Sequence, residues 1–152
     1  MKKHKTDTWG TALLLESCYN VFNNESFFPQ KNKTFCNQAV ATVSRMFGFA
    51  GLTASPANNQ IKILETSHLW IKTTPEQAQA EANIGKLVLA AKSGNPHGHI
   101  VVLLPGITSY SDKWKEQAPR CMDIGRAHTF GLRTNWAFKE KPVYWVYLDQ
   151  NQ

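Results

Sequence analysis

The stretch from 73 to 106, TTPEQAQAEANIGKLVLAAKSGNPHGHIVVLLPG, does most to limit what this chain can fold into. Thr74 offers a helix cap, Pro75 suits the first helical position, Gln77 completes a capping box and Gly85 supplies the stop. KLVLAAK then has the composition of a strand, SGNPHG that of a turn, and HIVVLLPG that of a second apolar strand closed by Pro105 and Gly106. The two strands should pair as a hairpin, fed directly by the helix.

The rest of the chain is arranged around that unit. Trp9, Leu13, Leu14, Cys18 and Val21 share one helical face, which predicts a helix over about 8–23. After the polar loop NNESFFPQKNK, Thr34 offers a cap. Cys36, Ala39, Val40, Val43 and Met46 or Phe47 then recur at helical spacing up to Gly48. SPANNQIKILE predicts a short helix starting near Ser55 with Pro56 at its first position. Downstream, ITSYSDKWKEQAP is expected to be a polar loop, RCMDIG a short strand, and VYWVYL a longer one rich in aromatic and β-branched residues. Helices come first and strands later, so the expected fold is α+β, with N-terminal helices packed on a small antiparallel sheet. At 152 residues the chain fits one domain, 1–152.

Seventeen Lys and Arg against eleven Asp and Glu give a net charge of +6, which favours polyanions such as nucleic acid, anionic lipid or a carboxylate-rich cell wall. The excess is spread along the chain, without a basic helix or an RNA-binding signature. At the start, the apolar run TALLL is broken at once by Glu16 and no small-residue cleavage site follows, so a secretory signal is not expected. No apolar run approaches the length of a membrane span, so membrane insertion is not expected. Cys18, Cys36 and Cys121 form no CxxC motif and, with five scattered His, no zinc spacing, so neither metal nor cofactor is expected. Either all three thiols are free, or Cys18 pairs with Cys121 and Cys36 stays available.

Cys36 is where chemistry could reside. A thiol attacks as its thiolate, and a helix N-terminus favours that anion while offering N–H groups to a developing oxyanion. A base must come from elsewhere, and the hairpin supplies two histidines. His97 lies in the turn, whereas His99 opens a strand directly after Gly98 and would be held by regular backbone, so His99 is the preferred partner. Something must then hold the imidazole in the right tautomer. Asp123 in RCMDIG is the nearest candidate, with His128 and Asn135 behind it. Each of these residues also has a plain structural reading, since free Cys is among the most buried residue types and Asp123 could serve a surface ion pair. Their conjunction in one order along the chain is what favours chemistry. Trp70, Trp114 and Trp136 fall in or near expected loops, where packing is a commoner fate than substrate contact.

A cysteine starting a core helix and a histidine starting a strand of the following sheet resemble the papain-like NlpC/P60 cysteine peptidases. More closely, EQAQAEANIGKLVLAAKSGNPHGHIVVLLPG, together with TFCNQAV and PRCMDIG, looks like the type VI secretion amidase effectors that bacteria inject into rivals to cut cell-wall peptides. The likeness runs from Thr34 to the closing YWVYLD. Housekeeping members of the wider family usually carry Ser and Gly soon after the Cys, where this chain has FCNQ, a departure that weakens the likeness to them and leaves the effector branch less affected.

The resemblance implies a papain-like NlpC/P60 fold and a metal-independent hydrolase with Cys36 as nucleophile, His99 as general base and Asp123 as the third member. The substrate it implies is peptidoglycan. The bond is either γ-D-Glu to diaminopimelate within a stem or the D-Ala to diaminopimelate crosslink, with the crosslink preferred. It also implies synthesis in a bacterial cytoplasm, delivery by the type VI apparatus without a signal peptide, action in the recipient's periplasm, and a cognate immunity protein. The rival expectation from the residues is a non-catalytic cationic module for cell wall or nucleic acid.

Overall fold

A computed structural model describes the backbone of residues 2–149 and the side chains from residue 10 onward. The elements follow as α1 (Lys2–Phe22), α2 (Cys36–Met46), α3 (Ala57–Thr66), β1 (Trp70–Thr73), α4 (Pro75–Asn83), β2 (Val88–Lys92) and β3 (His99–Leu103). Then come β4 (Ser109–Ser111), β5 (Glu116–Ala118), β6 (Arg120–Asp123), β7 (Thr129–Arg133), α5 (Thr134–Ala137) and β8 (Val143–Tyr147). Six strands make one antiparallel sheet in the order β1-β8-β2-β3-β6-β7, while β4 and β5 pair apart from it. The architecture is therefore α+β.

The helix–hairpin unit forms as its residues dictate. The Thr74 hydroxyl accepts the Gln77 backbone N–H at 3.2 Å, Pro75 opens α4, and the chain turns out of the helix through Gly85 at φ +88°. The capping box is only half made, because the Gln77 side chain donates forward to Glu81 at 2.9 Å. That bond joins helical neighbours four apart, within easier reach than the cap N–H behind it. Gly85 is also a point of close approach. A Cβ there would lie 2.1 Å from the carbonyl carbon of Gly10, so only glycine lets α1 rest on this turn. In the hairpin, Lys92 stands opposite His99 and Leu89 opposite Val102. Consecutive residues of β2 and β3 are buried, which means the centre of the sheet is covered on both faces.

Several expectations need correction. Helix α1 begins earlier than predicted; Leu14, Cys18 and Val21 point inward as the spacing requires, Leu13 is well exposed, and the Trp9 side chain lies outside the described residues. Thr34 does not cap α2: Phe35 holds the N-cap position, without a side-chain bond. The expected polar loop after β3 folds as the β4–β5 hairpin, pinned where the buried Ser111 hydroxyl accepts the Trp114 N–H at 3.2 Å. Strands also do not wait until the helices are finished, since β1 precedes α4 and pairs with β8 at the sheet edge. All three cysteines are free, which leaves Cys18 and Cys121 unpaired. Among the described residues no helix is long and apolar enough to cross a membrane.

Candidate active site

Strands β3 and β6 run antiparallel with Val102 opposite Met122 and Leu103 opposite Cys121. That register brings the first residue of β3 and the last of β6 to the same end of the sheet. Side-chain alternation puts both on the face that carries Leu103 and Cys121. These residues are His99 and Asp123, and His99 Nε2 lies 2.8 Å from Asp123 Oδ1. The carboxylate is 6% exposed and the imidazole 25%. Phe138 tilts against the ring with centroids 5.1 Å apart.

Helix α2 packs against β3 and delivers its first residue, Cys36, to the same imidazole. The thiol lies near enough to the His99 side chain to help raise its pKa. Since Asp123 engages Nε2, the ring nitrogen left for the sulfur is Nδ1. Burial pulls the imidazole pKa down, but hydrogen bonds to Asp123 and Cys36, with the charge each can carry, outweigh it and raise His99 from 6.5 to about 10. That rise favours the protonated ring, which stands between a carboxylate on one side and a sulfur on the other.

Above Cys36 opens a cleft of about 410 Å³, lined among others by Lys33, Asn37, Asn58, His97, Gly98 and Arg126. Its walls are tied by side-chain amides. The buried Gln60 donates to the carbonyls of Asn37, Leu52 and Thr53 at 2.9, 3.0 and 2.9 Å, and Asn37 donates to those of Ala54 and Ser55 at 3.2 and 3.0 Å. Asn58 holds the turn that precedes His99, donating to the Gly94 and Pro96 carbonyls at 2.8 and 3.3 Å and accepting the Gly94 N–H at 3.2 Å. It packs so tightly on Gly98 that a Cβ there would lie 2.3 Å from its Oδ1. No side chain caps α2, so the first-turn N–H groups stay available where Cys36 and Asn37 line the cleft.

Cys36, His99 and Asp123 are therefore brought together, and the alternatives are not part of the triad. His97 is exposed on the rim of the cleft. His128 is turned away, its Nε2 donating to the Phe22 carbonyl at 2.8 Å and its ring stacked on Phe22. Asn135 sits in α5, where its Oδ1 is buried without a hydrogen-bond partner among the described residues. Trp70 and Trp114 are buried, Trp136 is exposed, and none of the three lines the cleft. Among the described residues no group of three or more His, Cys, Asp or Glu could hold a metal ion.

Sequence reasoning missed the residues that shape the site without titrating. Gly125 is one: a Cβ there would lie 2.9 Å from Asp123 Oδ1 and 3.2 Å from His99 Cε1, so only glycine fits against the pair as it stands. Gln60, Asn58 and Arg126 are others. The sole signal for Gly125 was its position two residues after Asp123. When the chain is compared with models of protein families and with curated proteins, no family model and no curated sequence matches it.

Proposed function

We propose that this protein is a cysteine-dependent peptidoglycan amidase of papain-like NlpC/P60 type, acting on stem peptides or their D-Ala to diaminopimelate crosslinks. One observation carries the reading: a thiol at a helix tip, on the floor of an open cleft, shares an imidazole with a buried carboxylate. In the reaction, the Cys36 sulfur attacks the amide carbonyl while its proton resides on His99. First-turn N–H groups of α2 stabilise the oxyanion, and the His99 imidazolium gives its proton to the leaving amine. Acylation changes the ring's surroundings. Once the sulfur is a thioester, its contribution to raising the imidazole is gone and burial counts for more, so more of His99 is neutral and free to take a proton from the attacking water. Asp123 keeps the ring oriented through both halves.

Delivery by a type VI apparatus, action in the periplasm of a recipient and restraint by an immunity protein over the cleft belong to the same proposal, on the strength of the sequence resemblance. The test is to digest purified sacculi and weigh the released muropeptides. The parent should release stem fragments or uncrosslinked monomers, with the mass difference identifying the bond, and Cys36→Ala should release none. Unchanged muropeptides from folded parent protein would overturn the proposal, as would a fully active Cys36→Ala variant, the outcome expected of a binding module.

A further inference from the structure

The cleft has a charge pattern that the triad does not explain. Among its lining residues are Lys33, His97 and Arg126, and not one Asp or Glu. Neither Lys33 nor Arg126 forms an ion pair among the described residues, and both are exposed. Both are also carried on fixed backbone. Lys33 ends a tight turn closed by reciprocal bonds of 2.9 Å between Gln30 and Lys33, and its ammonium stands 5.6 Å from the ring of Phe35, next to Cys36. Arg126 sits on a turn anchored on one side by Asp123, bound to His99, and on the other by His128, bound to the Phe22 carbonyl.

We infer that Arg126 and Lys33 form a carboxylate-binding subsite in the Cys36 cleft, holding an acid group of the substrate within side-chain reach of the sulfur. It rests on the cleft being the substrate site proposed above. Two separated cations suit a small acid group, and the Arg fork can bind a carboxylate through two parallel hydrogen bonds. A single-stranded nucleic acid would need a basic track with aromatic platforms for its bases, and no Phe, Tyr or Trp lines this cleft. The substrate class is then a peptide with a free carboxylate beside the scissile amide, and its amidated counterpart should be turned over poorly.

The test uses two alkylating agents of similar size, iodoacetate and iodoacetamide. In either reaction the Cys36 sulfur displaces iodide from the methylene carbon: the C–S bond forms, the C–I bond breaks, and iodide leaves with the electron pair. Mass spectrometry locates the adduct, and Cys18 and Cys121 are buried away from the reagents. The ratio of the two rates is the readout, with iodoacetamide as the reference within each variant. Arg126→Gln and Lys33→Gln should each lower the iodoacetate preference by about two- to fivefold, the range for exposed ion pairs. Salt near 1 M should shrink the parental preference towards that of the double variant. A ratio unmoved by either substitution would overturn the subsite while leaving Cys36 a nucleophile. Failure of both reagents to label Cys36 in folded protein would overturn the subsite and the nucleophile together.

Discussion

Cys36 and Cys121 flank the same imidazole–carboxylate pair, and both are nearly hidden, at 8% and 1% exposed. Cys121 lies two residues before Asp123 on β6, on the same face of the sheet, opposite Leu103 of β3. Burial, and then the charge of Asp123, push its thiol far up. Cys18, on the buried face of α1, is pushed up to about 12 by burial alone. Cys36 differs in what its small exposed area faces, which is a cleft, and in its neighbour, which is the imidazole rather than the carboxylate. Nearness to the imidazole–carboxylate pair is therefore not what distinguishes the two thiols. A carboxylate beside a thiol holds the proton on it, whereas a neighbouring cation favours the thiolate.

Asp123→Asn sharpens the contrast most, because one charge acts on both sides. Without it His99 loses its chief support against burial, so the alkaline limb of hydrolysis, set near 10 in the parent, should move to lower pH. The rate at neutral pH should fall by no more than about a hundredfold, the low end of what a proton-transfer group contributes, as checked in pH–rate profiles on sacculi. Stability follows the same sign. His99 is raised in the fold, so its contribution is fully present below about 6.5 and is lost as pH rises through about 10. The gap in melting temperature between parent and Asn variant should narrow across that window.

Gly125→Ala disturbs the pair without touching its charges. The added methyl would press on Asp123 Oδ1, and overpacking of this kind costs about 1–3 kcal/mol. We expect a several-fold loss in kcat with KM little changed, together with a lower melting temperature. Cys121→Ala should have the smallest effect. Hydrolysis should keep the parental rate, while urea unfolding shows a loss of about 1 kcal/mol for the vacated volume. A strong loss of activity there would break the distinction between the two thiols.

What the sequence made legible was local. The α4 cap, the β2–β3 hairpin and the amphipathic face of α2 each depend on residues within a dozen positions, and each formed. Cys36, His99 and Asp123 were found because the start of a helix and the ends of strands are identifiable positions. The short strands escaped for opposite reasons. WIKT, at β1, is four residues on a sheet edge with Ile71 and Lys72 outward, and SYS with EQA, at β4 and β5, have almost no apolar residues to alternate. TFGLR, at β7, carries a glycine at φ +93° that is skipped in the pairing, since Cys121 meets Leu132 and Met122 meets Phe130. The cleft walls were out of reach altogether, since Asn58 meets Gly94 across 36 residues and Gln60 meets Asn37 across 23. No pattern along the chain encodes such contacts.

The triad's parts stand on separate supports. Two of its members are set by the pairing of β3 with β6, and the third arrives on α2, which packs its side chains against β3 rather than pairing with it. Strand pairing is stiff, whereas a helix can slide on its apolar bed by a fraction of an ångström when that bed is altered. On the proposed function, turnover is thus a sensitive gauge of how α2 is seated, and a small void carved beneath Val40 or Val43 should abolish hydrolysis well before it melts the protein.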